Sequence, residues 1–446
     1  MNDTTWDDFR HAIYDCFLSN RDALFELIDA LLSEDRAGSL PELSLSPFFR
    51  RQWPSLYQAL QDGRIDRQRL REVLVRFLPV CPGCEHLWIS VDASSIVRAY
   101  AHTSPDRSIV HVANPGPRSK PVHFGWQFST VMLLPDQPSS WTYILDQHYI
   151  PSQGSAVKTA IEQLQAIAPK LERLVTIVAD SGYGTQAFLL TLILLGLEGL
   201  IRLKVNRVFF RRPHTSSMDS RGHPARFQCN DPSTHGPPTR HLEVTSKSGK
   251  PILLDCWEGL HLKGGTDQTI SIVRISRPGA SGSERDPRES WFAWVGNRPA
   301  PLQELWQRYA CRYSHEHCYR FLKQDLLWAD PQLRCPEQFE RWSQVVMLAF
   351  NQLVLAKDSC EPVLMPWERA QTPLTPRRVR RGMEKLLCKV GTPTRAPQRR
   401  GRAPGRAAGF HPKAAPRYPV LAKRRGKPPP GKGKTSRTNK KRTKAA

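Results

Sequence analysis

At Leu87 the spacing of apolar residues changes, and this change limits the folds open to the chain more than any other feature. Before it, over residues 1–78, Phe9, Ile13 and Phe17, then Leu24, Leu27, Ile28 and Leu31, recur every three or four positions, the period of an amphipathic helix. A second helical stretch, Arg67 to Phe77, stops at Pro79. From Leu87 the run Leu-Trp-Ile-Ser-Val-Asp reads as a strand, and 109–113, 124–134 and 141–145 follow as strand candidates between Pro, Gly and Asn turns. Val157, Ile161, Leu164, Ala168 and Leu171 then share a helix face, with Ser155 placed to cap it. Leu174–Ala179 is a continuous apolar strand that runs into Asp180, followed by a helix over Thr185–Leu195 and a strand over Leu200–Val205. Strands first, then helix, strand, helix and strand predict an α/β domain around one sheet.

The texture changes again over 207–298, where Gly, Pro, Ser and Arg surround short alternating runs at Pro251–Trp257, Thr269–Ile275 and Trp291–Val295. This predicts a β-rich insertion with a loop at Arg277–Arg288. Helices return over Leu302–Gln324 and Glu337–Lys357. The expected organisation is an N-terminal helical domain (1–80) for DNA-end binding or dimerisation and an α/β core (85–206 and 299–360) interrupted by the insertion (207–298). A basic helix (361–390) and a Lys/Arg/Pro-rich tail (391–446) complete it. Beyond Gly391 the chain carries no acid and few apolar residues, so it is expected to be disordered.

Charge is distributed just as unevenly. The formal net charge is +24, yet Pro376–Ala446 carries 24 Lys and Arg against the single acid Glu384, so +23 of it belongs to the C-terminus. A nucleic-acid partner therefore cannot be argued from net charge alone. Ten scattered cysteines without a framework read as reduced thiols, and the lone Cys81-Pro-Gly-Cys84 lacks the second pair that a structural zinc site needs. Acids at Asp3, Asp7 and Asp8 do not suit a secretory leader, and Phe188–Leu197 is too short to span a bilayer. These features point to a cytoplasmic protein without a membrane span.

Three acids stand out. Asp92 sits within a strand, beside Ser90, Ala93 and Ser94, where a charge in an otherwise apolar run needs a partner: a metal, or a basic side chain. Asp180 ends its strand at the position where sheet-based active sites gather, although it could equally be the N-cap of the next helix. Tyr309, Arg312, Glu316 and Lys323 fit Y-x2-R-x3-E-x6-K without a gap. On one continuous helix, at about 100° per residue, the four fall within roughly 60° of one another. The simpler reading is an Arg–Glu pair on a solvated helix face.

With these residues in place, the chain resembles the Asp-Asp-Glu (DDE) transposases of bacterial insertion sequences, in the group marked by Y-x2-R-x3-E-x6-K and the branch with a DDE superfamily endonuclease domain. The segments that carry the resemblance are VDASSIVRAYAHTSPDR (91–107), VADSGYGTQAFLL (178–190), YACRYSHEHCYRFLKQDLLWADPQLRCPEQFERW (309–342) and LTPRRVRRGMEKLL (374–387). The resemblance implies an RNase H-like core and a transposase that cleaves transposon ends and transfers strands into target DNA. By position, Asp92, Asp180 and Glu316 would be the catalytic and metal-holding triad, with Tyr309, Arg312 and Lys323 as DNA contacts. Two Mg²⁺ ions, with Mn²⁺ able to substitute, suit such an all-carboxylate donor set. A homodimer on paired DNA ends is also implied. Relatives that form hairpin intermediates stack a flipped base on an aromatic of the insertion, which makes Trp257 a candidate DNA contact. The basic tail would add salt-sensitive phosphate affinity, or be a dispensable terminus. The alternatives are a decayed or repurposed DNA-binding protein, or another RNase H-like nuclease such as a resolvase.

Overall fold

The computed structural model describes residues 3–80, 83–112, 121–211, 225–246, 249–263, 265–283, 287–361, 363–369, 373–399 and 405–421. Cys81, Ala113, part of the 277–288 loop and much of the basic tail therefore lie outside the described residues.

The N-terminal stretch forms α1 (Asp3–Tyr14), β1 (Phe17–Ser19), α2 (Arg21–Ser33), α3 (Leu40–Leu43), α4 (Trp53–Asp62), β2 (Arg64–Ile65) and α5 (Arg67–Arg76), with β1 and β2 paired antiparallel. The helical spacing read from the sequence lies on buried faces: Phe9, Ile13, Leu24, Leu27, Ile28 and Leu31 are all fully enclosed. The polar side of α2 is enclosed too. Asp29 pairs with Arg10 at 2.6 Å, and Glu26 with Arg50 at 2.9 Å, so each buried acid has a guanidinium partner.

The sheet begins with β3 (His86–Val97), β4 (Ser108–His111), β5 (Val122–Leu133) and β6 (Tyr143–Ile150). It continues through α6 (Ala156–Ile167), β7 (Leu174–Ala179), α7 (Gln186–Leu194) and β8 (Glu198–Leu203). Ser155 caps α6 as expected, its side chain accepting from the Lys158 amide. The last expected strand before the helix is shifted, starting at Tyr143 and running on to Ile150. In space the order is β6-β5-β3-β7-β8, with β3, β7 and β8 parallel and β5 and β6 antiparallel. This mixed α/β arrangement is consistent with an RNase H-like core.

The insertion supplies β9 (Val208–Arg211), β10 (Arg226–Gln228), β11 (Arg240–Thr245), β12 (Pro251–Leu262), β13 (Gly265–Ser276) and β14 (Glu289–Val295). It extends the core sheet: β14 pairs antiparallel with β8, from Trp291 opposite Leu203 to Val295 opposite Gly199. Among the described residues the result is one sheet of twelve strands.

The C-terminal half adds α8 (Leu302–Cys311), α9 (Tyr313–Gln324), α10 (Pro336–Leu355) and α11 (Pro376–Val390). Pro336 opens α10, where a missing N–H costs nothing. The helix is buried along nearly its whole length and shares one apolar core with α2, α11 and the sheet. At the edge of the sheet, Asn351 of α10 accepts from the Ile144 amide at 2.9 Å and donates to the Ile144 carbonyl at 2.8 Å, completing pairs that edge strand β6 would otherwise leave open.

Two expectations are corrected here. The helix read over Leu302–Gln324 is two helices that break at Arg312. Part of the stretch expected to be disordered is packed: Arg10 donates to the Gly391 carbonyl at 3.0 Å, and the Leu421 amide donates to the Arg107 carbonyl at 2.7 Å.

Candidate active site

β3 is the central strand of the core, hydrogen-bonded to β5 on one side and β7 on the other. Its parallel register with β7 runs to Val91 opposite Ala179, so Asp92 and Asp180 are the next residues on adjacent strands. Parallel neighbours in register point to the same face, which places two carboxylates side by side, Asp92 midway along β3 and Asp180 just past the end of β7. Asp92 is 9% exposed, and its carboxylate accepts from the Ala93 amide at 2.9 Å.

Asp180 begins the turn Asp-Ser-Gly-Tyr-Gly. Its carboxylate accepts from the Gly182 amide at 2.8 Å, and the Tyr183 amide closes the turn onto its carbonyl at 3.1 Å. Gly184 is required where the chain passes β8: a Cβ there would lie 2.9 Å from the Arg202 carbonyl oxygen. The capping alternative for Asp180 is excluded, because Thr185 caps α7 by accepting from the Phe188 amide. Five residues upstream of that cap, the Asp180 carboxylate remains half-exposed at the mouth of the site.

Glu316 lies in the first turn of α9. The break before it is built from three-residue hydrogen bonds, Arg312 amide to Tyr309 carbonyl at 3.1 Å and His315 amide to Arg312 carbonyl at 2.9 Å. The Ser314 hydroxyl, by accepting from the Ser139 amide at 3.0 Å, ties the break to the loop after β5. Tyr309 belongs to α8, Arg312 is the joint, and Glu316 and Lys323 belong to α9.

At that joint the Arg312 guanidinium turns inward and lies 3.6 Å from Asp92, 3.9 Å from Asp180 and 4.0 Å from Glu316. These are ion-pair distances, and the Arg312 Nε is buried without a hydrogen-bond partner. Burial alone would lower the Arg312 pKa, but Asp92, Tyr309, Asp180 and Glu316 together hold it above its usual value. Asp92 responds in the opposite sense. Burial pushes its carboxyl up to about 7, Arg312 pulls it down, and Asp180 and Glu316 push it up again. One guanidinium does not offset three carboxylates gathered in a partly dry pocket.

Among the described residues, no three His, Cys, Asp or Glu side chains form a ready-made metal cage; the three acids face Arg312 instead. The donor set is nonetheless all hard oxygen with an uncompensated negative charge, the chemistry that suits Mg²⁺ or Mn²⁺.

The other expected contacts lie around this centre. The Tyr309 ring is half-buried, edge-on to Phe292 at 4.6 Å. Lys323 donates to the Ser95 carbonyl at 2.9 Å and is largely buried, so its ammonium is engaged by protein. Trp257 is a correction. It is 2% exposed, stacked on Trp291 at 5.7 Å beside Phe227 and His235, and donates from its indole to the Gly236 carbonyl. As a core residue of the insertion it offers no free face to a base. The cysteine pair is represented by Cys84 alone, whose thiol donates to the His86 carbonyl.

Several neighbours of the site were not singled out from the sequence. Arg202 of β8 lies close enough to Tyr309 to act on its hydroxyl, whose pKa burial raises and Arg312 and Arg202 lower. A charge inside the apolar run Leu200–Val205 was the available signal. Ser90 and Tyr319 reach the site through His315 and the Asp92 backbone, and nothing in their spacing marked them.

Compared with known families, residues 12–250 match the DDE superfamily endonuclease family. The chain belongs to that family. The match contains Asp92 and Asp180 and ends before Glu316, whose membership in the cluster rests on the Arg312 geometry. Comparison with curated proteins found no match. No described helix is long and apolar enough to cross a membrane.

Proposed function

We propose that this member of the DDE superfamily endonuclease family is an insertion-sequence transposase of the Y-x2-R-x3-E-x6-K group. It would cut phosphodiester bonds at the element ends and join the freed 3′-hydroxyls to target DNA. The observation that carries the reading is the convergence of Asp92, Asp180 and Glu316, from two strands and a helix, on one guanidinium within 4.0 Å.

Asp92, Asp180 and Glu316 are the residues that would hold Mg²⁺ or Mn²⁺. Ions bound there would supply Lewis-acid activation of the entering oxygen and charge offset at the leaving one. The carboxylates' own task is to place hard oxygen ligands on rigid elements, Asp92 within β3 and Asp180 at the end of the adjacent parallel strand β7. Arg312 is suited to take one scissile-phosphate oxygen through its fork of donors once the carboxylates are otherwise satisfied. Tyr309 would contact the DNA backbone as the strand is seated, and Lys323 would do so on giving up its bond to the Ser95 carbonyl. The protein would act in the cytoplasm as a homodimer on paired ends, with the N-terminal helices gripping DNA ends or the partner copy.

Incubating the full-length protein with its element ends and Mg²⁺ tests this. Wild type should nick the ends, and Glu316→Gln should reduce nicking by about 10³-fold, since an ion-holding carboxylate becomes neutral. Cleavage that persists in Glu316→Gln would remove Glu316 from the site. Nicking absent from both would favour a DNA-binding protein without activity.

A further inference from the structure

α9 does more than carry Glu316; it is fastened to β3 by three polar side chains spaced four residues apart. His315 Nδ1 is 2.7 Å from the Ser90 hydroxyl, the Tyr319 hydroxyl donates to the Asp92 carbonyl at 3.1 Å, and Lys323 donates to the Ser95 carbonyl at 2.9 Å. Positions 315, 319 and 323 form one stripe of the helix, and Ser90 and Asp92 share one face of the strand.

His315 is fully buried, and its Nε2 has no hydrogen-bond partner. Burial, reinforced by the Arg312 charge, keeps the imidazole neutral. A buried nitrogen left unpaired costs stability, and an apolar residue of similar volume would fill the space at less cost. The histidine therefore does not serve core stability best; what it contributes is a directed bond to β3 immediately beside Glu316.

Tyr319 is aimed in the same way. Its ring lies 4.6 Å from His315 and 5.7 Å, stacked, from Trp328, so the hydroxyl is held toward the Asp92 backbone. A helix rises about 1.5 Å per residue, so sliding α9 along β3 by one residue would break all three bonds and move Glu316 by the same amount. Carboxylates that share an ion tolerate only about 0.5 Å of misplacement.

We propose that Ser90, His315 and Tyr319 are positioning residues that set the separation of Glu316 from Asp92 and so tune divalent-ion affinity. The inference rests on reading the carboxylates as the ion-binding centre. Ser90 and Tyr319 touch neither ion nor DNA; they act through the strand and helix that carry Asp92 and Glu316.

The test uses the full-length chain without DNA, measuring Mn²⁺ binding by calorimetry and the thermal midpoint in parallel. Ser90→Ala and Tyr319→Phe each remove one oxygen and keep the fold. Each should weaken Mn²⁺ binding about tenfold, the usual effect of losing a group that orients a ligand. The midpoints should remain within a few degrees of wild type. Ser90→Thr, which keeps the hydroxyl, should restore most of the affinity. Wild-type Mn²⁺ affinity in both Ser90→Ala and Tyr319→Phe would overturn the proposal while leaving the ion-binding reading intact. If wild type itself takes up no Mn²⁺, the reading of the carboxylates fails and the proposal falls with it.

Discussion

Asp92 is the residue where the requirements of folding and of chemistry conflict most directly. Its folded pKa of about 7 lies above the ordinary value of 3.8, so the folded state binds a proton more tightly than the unfolded chain does. Stability is then greatest below the unfolded value and falls as pH rises from about 4 to about 7, the window in which the buried carboxyl must ionise. Above that window the protein carries a buried charge that Arg312 only partly offsets. Asp92→Asn should therefore stabilise the metal-free protein at pH 7.5, raising the thermal midpoint by a few degrees, an effect on the order of 1–2 kcal/mol. The same variant should lose cleavage. A midpoint that falls on substitution would show that the Asp92 charge is already well compensated, most simply by a closer pairing with Arg312.

At the scale of elements, α10 and the α8–α9 pair show how much of the structure the sequence discloses. The periodicity of 337–357 locates a helix because its apolar residues repeat at helical spacing, and α10 covers Pro336–Leu355. What periodicity cannot show is that Asn351, a polar residue in that run, closes the backbone pairs of edge strand β6. Asn351→Ala should leave the buried Ile144 amide and carbonyl unpaired and cost about 2–4 kcal/mol, read as a lower denaturant midpoint at an unchanged m-value. A midpoint within error of wild type would mean that another group takes over the pairs. The break at Arg312 was illegible for a related reason. Nothing between Tyr309 and Glu316 is a Pro or Gly, and the helical spacing is unbroken; the break coincides with the residue whose guanidinium faces carboxylates from distant parts of the chain. Asp180 was more legible, since its strand is a plain apolar run, but only Thr185 acting as the cap of α7 separates its two readings. The Trp257 expectation failed because burial in a twelve-strand sheet depends on pairings such as that of β14 with β8, which no local pattern encodes.

Over the whole molecule, basic composition and DNA contact separate into two parts. In α11 the arginines are taken up by protein: Arg377 pairs with Asp325 at 2.6 Å, Arg381 pairs with Glu368 at 2.7 Å, and Arg380 donates to the carbonyls of Leu31 and Glu34 at the end of α2. Arg380 thus ties the C-terminal helix to α2, Arg377 ties it to the end of α9 and Arg381 to the segment before α11, which leaves little of this charge for phosphate. The final 25 residues differ, with eleven Lys and Arg and no acid after Leu421. Contacts that fasten the preceding chain, Arg10 to the Gly391 carbonyl and the Tyr418 amide to the His102 carbonyl, lie upstream of that point. Truncation after Leu421 keeps these contacts, and the thermal midpoint measured in parallel checks that the fold is retained. Each phosphate neutralised contributes about 0.9 to the slope of log affinity against log salt, so removing eleven cations should flatten that slope by several units. Affinity at low salt should fall by more than tenfold, equally for element ends and unrelated duplex, because phosphate contacts carry no sequence information. At high salt the two proteins should converge. An unchanged slope would show that the arm does not touch the phosphates. A loss confined to element ends would place a sequence-reading contact within the last 25 residues.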